Sequence, residues 1–190
     1  MNYYNGKGLY QLRGHKVDDK KHYETHIKTL YKNIYGIDVN IRIMDSTGVI
    51  GFQIWNDELV KFKHEILKLP LGKKGNFKIP KYINNKKLFF AFLRGLFDTD
   101  GTLYIETKYD KPYPRFEIKL TSQNTIKEIH KRLNKYGINC SFYEYIRKEK
   151  NWNNLYTVSI RGYKNCYLWV KYVGSNNPKN IQKLDKLLKY

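Results

Sequence analysis

The chain has 190 residues, of which 41% are hydrophobic, so it is long enough for one packed core or two fused half-domains and too apolar for a disordered protein. No apolar run reaches the length of a membrane span and no signal-peptide core opens the sequence, which excludes secreted and membrane-spanning classes and predicts a cytoplasmic, nucleoid or organelle-matrix protein. Lys and Arg total 36 against 17 Asp and Glu, and the net charge of +19 favours a polyanionic partner, although a basic ribosome-associated protein would carry the same charge.

The first half of the sequence predicts a strand, a helix, a hairpin, a helix and a basic loop. In chain order these are a strand over 9–16, a helix from 18 to Gly36, a hairpin of strands 39–43 and 49–55, and a helix over 57–67. Leu59, Phe62 and Ile66 are predicted to face inward in the second helix. A basic, glycine-bearing connection then runs from 69 to 78 and contains Lys74.

The second half repeats this order of elements. The predicted elements are an apolar helix over 88–98, a hairpin of strands 102–108 and 115–121, a helix capped by Ser122 and Asn124 that ends at Gly137, a hairpin of strands 139–147 and 155–161, a helix over 164–172, and a short last helix to 190. Tyr-Gly-Ile occurs at 35–37 and again at 136–138, and Lys74 and Lys179 occupy matching loops. The sequence therefore predicts two half-domains, 1–80 and 81–190.

Basic and aromatic side chains alternate along one side of the predicted strands. A curved antiparallel sheet with such a face fits the major groove of DNA, which admits a two-stranded ribbon. The alternative is that these side chains are simply the solvent side of an antiparallel sheet. The predicted DNA-binding residues are Tyr104, Glu106, Lys108, Arg115, Glu117 and Lys119, with Arg13, Arg42, Arg147 and Arg161 on the other strands.

The predicted helix that opens the second half carries the most specific pattern in the chain. Residues 93–101 read Leu-Arg-Gly-Leu-Phe-Asp-Thr-Asp-Gly. Gly95 removes a side chain, which would let two such helices pack closely, and Leu93, Leu96 and Phe97 are predicted to support the core.

Asp100 is the candidate catalytic residue of this segment. The helix is predicted to end at 98–99, so that Asp100 lies just past the negative end of the helix dipole. A carboxylate there is unfavourable unless a cation shares the site. Mg²⁺ takes carboxylate and carbonyl oxygens as ligands, so the sequence predicts a divalent metal at Asp100 and Gly101. Taken alone, Asp-x-Asp-Gly is also an ordinary turn.

Leu93 to Gly101, followed by the strand from Thr102, closely resembles the signature of the LAGLIDADG homing endonucleases, with Arg94 where the namesake has alanine. The resemblance implies an α+β fold of two pseudo-symmetric αββαββα units with curved antiparallel sheets. It implies Mg²⁺-dependent cleavage of double-stranded DNA at a long site, with Asp100 as a metal ligand. It also assigns Lys74 and Lys179 to the surroundings of the scissile phosphates, and the outward strand residues to DNA contacts.

The sequence departs from this pattern in its first unit, which has no signature helix and hence no second catalytic aspartate. Three explanations stay open: a sequence that starts upstream, a decayed relative, or two chains that pair through the Leu93–Asp100 helix. Three functions follow: an intron-encoded DNA endonuclease, a non-cleaving protein that binds DNA or intron RNA in the manner of a maturase, and a structural basic protein. The partner is then double-stranded DNA or intron RNA, with no membrane, and the protein is a monomer or a dimer.

Overall fold

The computed structural model describes residues 1–44, 48–72, 77–148 and 153–187. These residues form two four-stranded antiparallel sheets with helices, which confirms the predicted α+β fold with two repeated units. Unit 1 comprises Met1–Lys74 with Asn177–Lys179, and unit 2 comprises Gly75–Asn176 with Asn180–Tyr190. Among the described helices, none has the length and apolar character that crossing a membrane requires.

Unit 1 is built on a sheet with the strand order β1-β2-β4-β3. Its strands are β1 (Asn2–Tyr4), β2 (Lys7–His15), β3 (Arg42–Ile43) and β4 (Val49–Trp55). Its helical segments are α1 (Lys20–His22), a π-helical turn Tyr23–Ile27, α2 (Lys28–Tyr35), α3 (Asp57–Lys61) and a second π-helical turn Phe62–Ile66. Strand β3 is shorter than the predicted strand over 39–43, since only Arg42 and Ile43 pair with β4.

The long helical stretch of unit 1 covers one face of this sheet. Tyr23, Ile27 and Tyr31 follow one another at helical spacing and pack with Phe52 of β4 in a buried cluster. The stretch stops at Gly36, whose φ of 68° is the left-handed conformation that ends many helices and that glycine adopts without strain.

The helix over 57–66 buries a different face from the predicted one. Leu59 is buried as expected, but Phe62 and Ile66 are 41% and 61% exposed, and Lys63 is buried in their place. The reason is the π-helical turn, in which hydrogen bonds span five residues instead of four and the side chains rotate out of the α-helical register.

Lys63 enters a cage of three tyrosines. Its Nζ lies 4.6 Å, 5.3 Å and 4.5 Å from the ring centres of Tyr10, Tyr31 and Tyr35, and it donates a hydrogen bond of 3.0 Å to the Tyr35 hydroxyl. The rings attract the ammonium group through their quadrupoles. Burial nevertheless lowers the pKa of Lys63 to about 8, because the charged form loses its water.

Unit 2 repeats the sheet with the order β5-β6-β8-β7. Its strands are β5 (Gly101–Lys108), β6 (Lys111–Leu120), β7 (Ser141–Tyr145) and β8 (Leu155–Arg161). Its helices are α4 (Lys86–Asp100), α5 (Gln123–Lys135), α6 (Tyr163–Tyr172) and α7 (Pro178–Leu187). Each predicted hairpin and helix of the second half has a counterpart here, with ends that differ by a few residues.

The core of unit 2 lies between the sheet and its helices. Phe97 of α4 and Trp169 of α6 are fully buried, with ring centres 5.1 Å apart, and both pack on Phe116 of β6. Ile126 and Ile129 bring α5 into the same cluster. The helices therefore cover one face of the sheet, and the other face is polar.

We expect the substitution Lys63→Met to remove a rise in stability above pH 8. The pKa of Lys63 is about 8 in the folded protein and ordinarily 10.5. At pH values between these two, the unfolded state binds more protons than the folded state. The free energy of unfolding of the parent protein therefore rises with pH in this range. Urea denaturation at intervals from about pH 7 to about pH 9.5, below the ordinary pKa of tyrosine, measures the rise. Lys61→Met, at an exposed position of the same helix, should keep it. Identical pH profiles for the parent and Lys63→Met would contradict the expectation.

Candidate nucleic-acid interface

Helix α4 places its two aspartates in different surroundings. The Asn85 side chain caps the start of the helix by accepting a hydrogen bond of 2.9 Å from the Leu88 amide. Asp98 is buried and Asp100 is exposed. Asp98 is turned toward the chain that follows α6, whereas Asp100 is the last residue of the helix and is left exposed. The helix reaches Asp100 itself and does not end at 98–99 as predicted.

Asp98 holds the chain that follows α6. Its Oδ1 accepts a hydrogen bond from the Ser175 hydroxyl, and its Oδ2 accepts one of 2.9 Å from the Asn176 amide. Arg94, one turn earlier on α4, donates from Nε to the Val173 carbonyl. We call these contacts the α4 clamp. Asp98 had no predicted role, although an acidic residue inside an apolar helix indicates a buried polar contact.

Asp100 is exposed at the end of α4, where the Thr99 hydroxyl donates a hydrogen bond of 2.9 Å to its Oδ2. Gly101 follows directly and begins β5. A Cβ at Gly101 would lie 2.1 Å from Cδ2 of Phe97, so only glycine permits this close approach between strand and helix. The predicted catalytic residue is therefore presented on a rigid junction of two elements.

The donor chemistry at this junction suits a hard divalent cation but supplies part of a coordination shell. Asp100 offers a carboxylate and Gly101 a backbone carbonyl, both of the oxygen type that Mg²⁺ takes. Within the part of the chain that the structure describes, no group of three His, Cys, Asp or Glu side chains is close enough to hold a metal. The remaining ligands would come from substrate phosphates, water or a second carboxylate.

The polar face of the unit 2 sheet brings together residues from three strands. The pairing of β5 with β6 puts Tyr104 opposite Arg115, and the pairing of β6 with β8 puts Arg115 opposite Arg161. These three side chains form one row across the sheet. The next row contains Glu117 opposite Ser159. All of the predicted DNA-binding positions on β5 and β6 lie on this face.

Two carboxylates organise the cations of this face. Glu117 is buried and lies 3.3 Å from Arg115 Nε and 2.9 Å from Lys119 Nζ, while Glu106 lies 2.6 Å from Arg115 Nη1. The hydrogen bond to Glu117 raises the pKa of Lys119. The Arg115 guanidinium also lies over the ring of Tyr104, 4.7 Å from its centre. Glu106 and Glu117 are therefore placed to orient cations.

The remaining predicted residues of unit 2 lie toward the ends of the strands. Lys108 ends β5, with Nζ 5.2 Å from the ring centre of Tyr113. Arg161 ends β8 and donates from Nε to the Ser159 hydroxyl at 3.2 Å. Arg147 lies beyond β7, where its amide donates to Asn154 Oδ1 at 3.3 Å.

Unit 1 has a polar sheet face of its own. Arg13 of β2 and Arg42 of β3 both pair with Gly51 of β4, so the two arginines flank that glycine across the sheet. In the next row Gln11 Nε2 donates a hydrogen bond of 3.1 Å to Gln53 Oε1. This amide pair was not among the predicted residues, although Gln11 and Arg13 alternate along β2 as the polar residues of β5 do.

Of the two predicted catalytic lysines, Lys179 is among the described residues and Lys74 lies outside them. Lys179 lies at the start of α7, within the segment that belongs to unit 1, and its Nζ is 3.6 Å from Oδ1 of Asp19. Asn177 Nδ2 donates to the same oxygen at 3.4 Å. Lys179 is thus held by an acidic partner within unit 1.

Residues 88–174 match the family model described as a LAGLIDADG-like domain. The fold is similar to that of I-DmoI in complex with DNA and Ca, with a TM-score of 0.63, 12% identity, and coverage of 98% of this chain and 88% of that one. The fold is also similar to that of the LAGLIDADG meganuclease I-AabMI bound to uncleaved DNA, with a TM-score of 0.59, 12% identity, and coverage of 95% of this chain and 80% of that one. For the N-terminal LAGLIDADG domain of DUF199/WhiA the TM-score is 0.56 and the identity 17%, with coverage of 98% of this chain and 79% of that one. The predicted family resemblance and fold are confirmed.

Two curated proteins of Methanocaldococcus jannaschii also match. The chain is 30% identical over 173 residues to glutamine–fructose-6-phosphate aminotransferase, and 29% identical over 168 residues to a probable translation initiation factor IF-2. The matches cover 90% and 83% of this chain but 15% and 14% of the relatives, so the chain spans about one seventh of their length.

We expect Asp98 and Asp100 to affect stability differently. Asp98→Ala removes the buried carboxylate that accepts hydrogen bonds from the Ser175 hydroxyl and the Asn176 amide, which should lower the free energy of unfolding by about 1–3 kcal/mol. Asp100→Ala removes an exposed anion from the negative end of a helix and should change stability by less than about 0.5 kcal/mol. Denaturant unfolding of both variants measures the difference. Equal losses would contradict the assignment of Asp98 to the α4 clamp.

Proposed function

We propose that this chain, which has the LAGLIDADG homing-endonuclease fold and carries a LAGLIDADG-like domain over residues 88–174, binds double-stranded DNA on its polar sheet faces and cleaves it at Asp100 with a divalent cation. The observation that carries the proposal is the α4–β5 junction. It leaves Asp100 exposed one residue before the strand whose outward side chains begin the cationic rows. Phosphate contacts by these cations would supply most of the affinity, and the rows would lie along the groove.

A divalent cation at Asp100 would stabilise the attacking and leaving oxygens of the phosphodiester. The chain's own residues would hold and aim it. Asp100 and the Gly101 carbonyl offer the oxygens, and Thr99 fixes one of them through its hydroxyl. The α4 clamp keeps the end of the helix in place, and positioning within a fraction of an ångström is what such chemistry needs.

The missing part of the metal site would come from a second signature helix. The side of α4 that carries Gly95 is exposed, and a Cβ on Gly95 would meet nothing within 4 Å. Leu88 on the same side is 43% exposed. An apolar stripe with a glycine at its centre fits close packing of another helix, from a second copy of this chain or from another segment of a longer polypeptide. Such a helix would bring its own aspartate beside Asp100.

The second candidate is a non-cleaving protein that binds DNA or intron RNA through the same faces. Two observations favour it: the described residues offer one exposed carboxylate at the junction, and the fold also occurs in a LAGLIDADG domain of DUF199/WhiA. The two differ in what Asp100 does. Cleavage requires its carboxylate, whereas binding by the sheet faces does not.

The two relatives from Methanocaldococcus jannaschii indicate how the gene segment for such a chain occurs in a genome. An aminotransferase and a translation factor have unrelated activities, yet both match nearly the whole of this chain over about one seventh of their own length. A unit inserted into different proteins, independent of the activity of either, accounts for both matches. An intron-encoded origin for this chain stays a prediction.

Asp100→Asn should abolish cleavage and keep binding. Duplexes captured by the protein from a randomised library would first provide a bound site. We expect the parent protein to cut this site with Mg²⁺, and Asp100→Asn to bind it with unchanged affinity while the cleavage rate falls by about 100-fold or more, because a metal ligand is lost. Unchanged cleavage by Asp100→Asn would refute the catalytic role, and binding without cleavage by the parent would support the second candidate.

Arg115→Gln should weaken DNA binding and reduce its salt dependence. One lost phosphate contact lowers the slope of log affinity against log salt by about 0.9, or loosens discrimination at one base pair if Arg115 contacts a base. Fluorescence anisotropy at several salt concentrations provides the slope. Lys164→Gln removes the same charge from the exposed surface of α6 and is the matched control. Equal effects of the two substitutions would contradict a specific role for the sheet face.

A further inference from the structure

Unit 2 carries a second cationic surface, on the helix side of its sheet. A groove of about 590 Å³ lies between α5 and the segment that precedes α4. We call it the α5 groove and define it by Lys78, Lys81, Lys127, Glu128, Lys131 and Arg132. Helix α5 packs on the core face of the sheet through Ile126 and Ile129, so this groove and the polar sheet face lie on opposite sides of the unit.

The walls of the α5 groove are fixed by hydrogen bonds to the backbone. The hydroxyl of Ser122 donates to the Phe77 carbonyl at 2.6 Å, and the hydroxyl of Thr125 donates to the same oxygen. At the other end, Arg132 Nη1 donates to the Ile83 carbonyl. Both ends of the segment 77–83 are thus tied to α5, which holds the lysines of that segment beside those of the helix.

The charge of the groove is left uncompensated within the described residues. Arg132 Nε is 2.7 Å from Glu128 Oε1, and its guanidinium lies over the ring of Phe89, so this pair neutralises itself and forms a fixed floor. The four lysines form no ion pair with another described residue, and all four are exposed. A bound polyanion would relieve the repulsion among them.

Two lysines of the groove lie close enough together to contact the phosphates of one strand. Lys127 and Lys131 are one helical turn apart, which puts their Cβ atoms about 6 Å from each other. The phosphates of one strand repeat every ~3.4 Å along the axis of a duplex, so phosphates two steps apart are separated by about 7 Å along that axis. Ile79 is the apolar side chain of the lining, and no aromatic ring is found among the described residues that line it. The groove therefore lacks the stacking platforms that hold single-stranded bases.

We propose that the α5 groove binds the backbone of a second DNA duplex, without regard to its sequence, while the polar sheet face holds the first. The inference goes beyond the proposed function, on which it rests for the first duplex. A chain with both surfaces would bridge two DNA segments, or pass from non-specific DNA to its site without release.

The test is the number of duplexes that one chain binds. A labelled DNA duplex of about 20 base pairs would be titrated with the full chain, and the mass of the complex measured by analytical ultracentrifugation. The groove variant is Lys127→Gln with Lys131→Gln, the sheet variant is Arg115→Gln with Lys119→Gln, and the charge-matched control is Lys164→Gln with Lys171→Gln on α6. We expect two duplexes per chain for the parent and the control, and one for each of the other variants. In the sheet variant, the salt slope of the remaining duplex reports on the groove alone.

Each other outcome has a definite meaning. A single duplex that is lost in the sheet variant and kept in the groove variant would overturn the groove and leave the proposed function standing. A single duplex that is lost in the groove variant and kept in the sheet variant would support DNA binding by the α5 groove and contradict DNA binding by the polar sheet face. Parallel titration with an RNA duplex decides the source, since groove-dependent binding of RNA without binding of DNA would overturn the assignment to DNA. Loss of thermal stability in the groove variant is not expected, because both lysines are exposed.

Discussion

The direct passage from helix α4 into strand β5 is the constraint on which the rest of unit 2 depends. No residue separates Asp100 from Gly101, and the strand starts against the ring of Phe97, where any side chain at position 101 would collide. The contact fixes the angle between helix and strand. It also places Asp100 at the point where the helix passes into the strand, while Asp98, two residues earlier, meets the chain after α6.

The contacts of the buried Asp98 hold the end of helix α4, which carries the exposed Asp100. Asp98 and Arg94 tie α4 to the chain after α6, through the Val173 carbonyl and the donors at 175 and 176. Arginine at position 94, where the namesake signature has alanine, contributes to this clamp by donating to a carbonyl. The departure from the signature is therefore accommodated by the fold and adds a contact that alanine could not make.

The acidic residues of unit 2 have a common pattern on both of its charged surfaces. On the sheet face Glu117 holds Arg115, and on the helix side Glu128 holds Arg132. In each place a carboxylate fixes a guanidinium; on the sheet face Glu117 also holds Lys119, whereas the four lysines of the α5 groove form no ion pair with another described residue. Pre-oriented arginines lose less entropy when they meet a ligand, and free lysines supply long-range attraction. Unit 2 therefore presents positive charge on two separate surfaces.

The sequence by itself determined the order of elements, the repeat, the polar face of the strands and the importance of the signature helix, because side-chain periodicity and glycine positions are local properties. It predicted correctly that Tyr104 and Arg115 share a face, since alternation along strands requires it. The tertiary structure decided the rest. The inward turn of Asp98, the burial of Lys63 by a π-helical turn and the gathering of lysines along α5 all depend on contacts between residues far apart in the chain, and on a change of helical register that leaves no trace in local spacing.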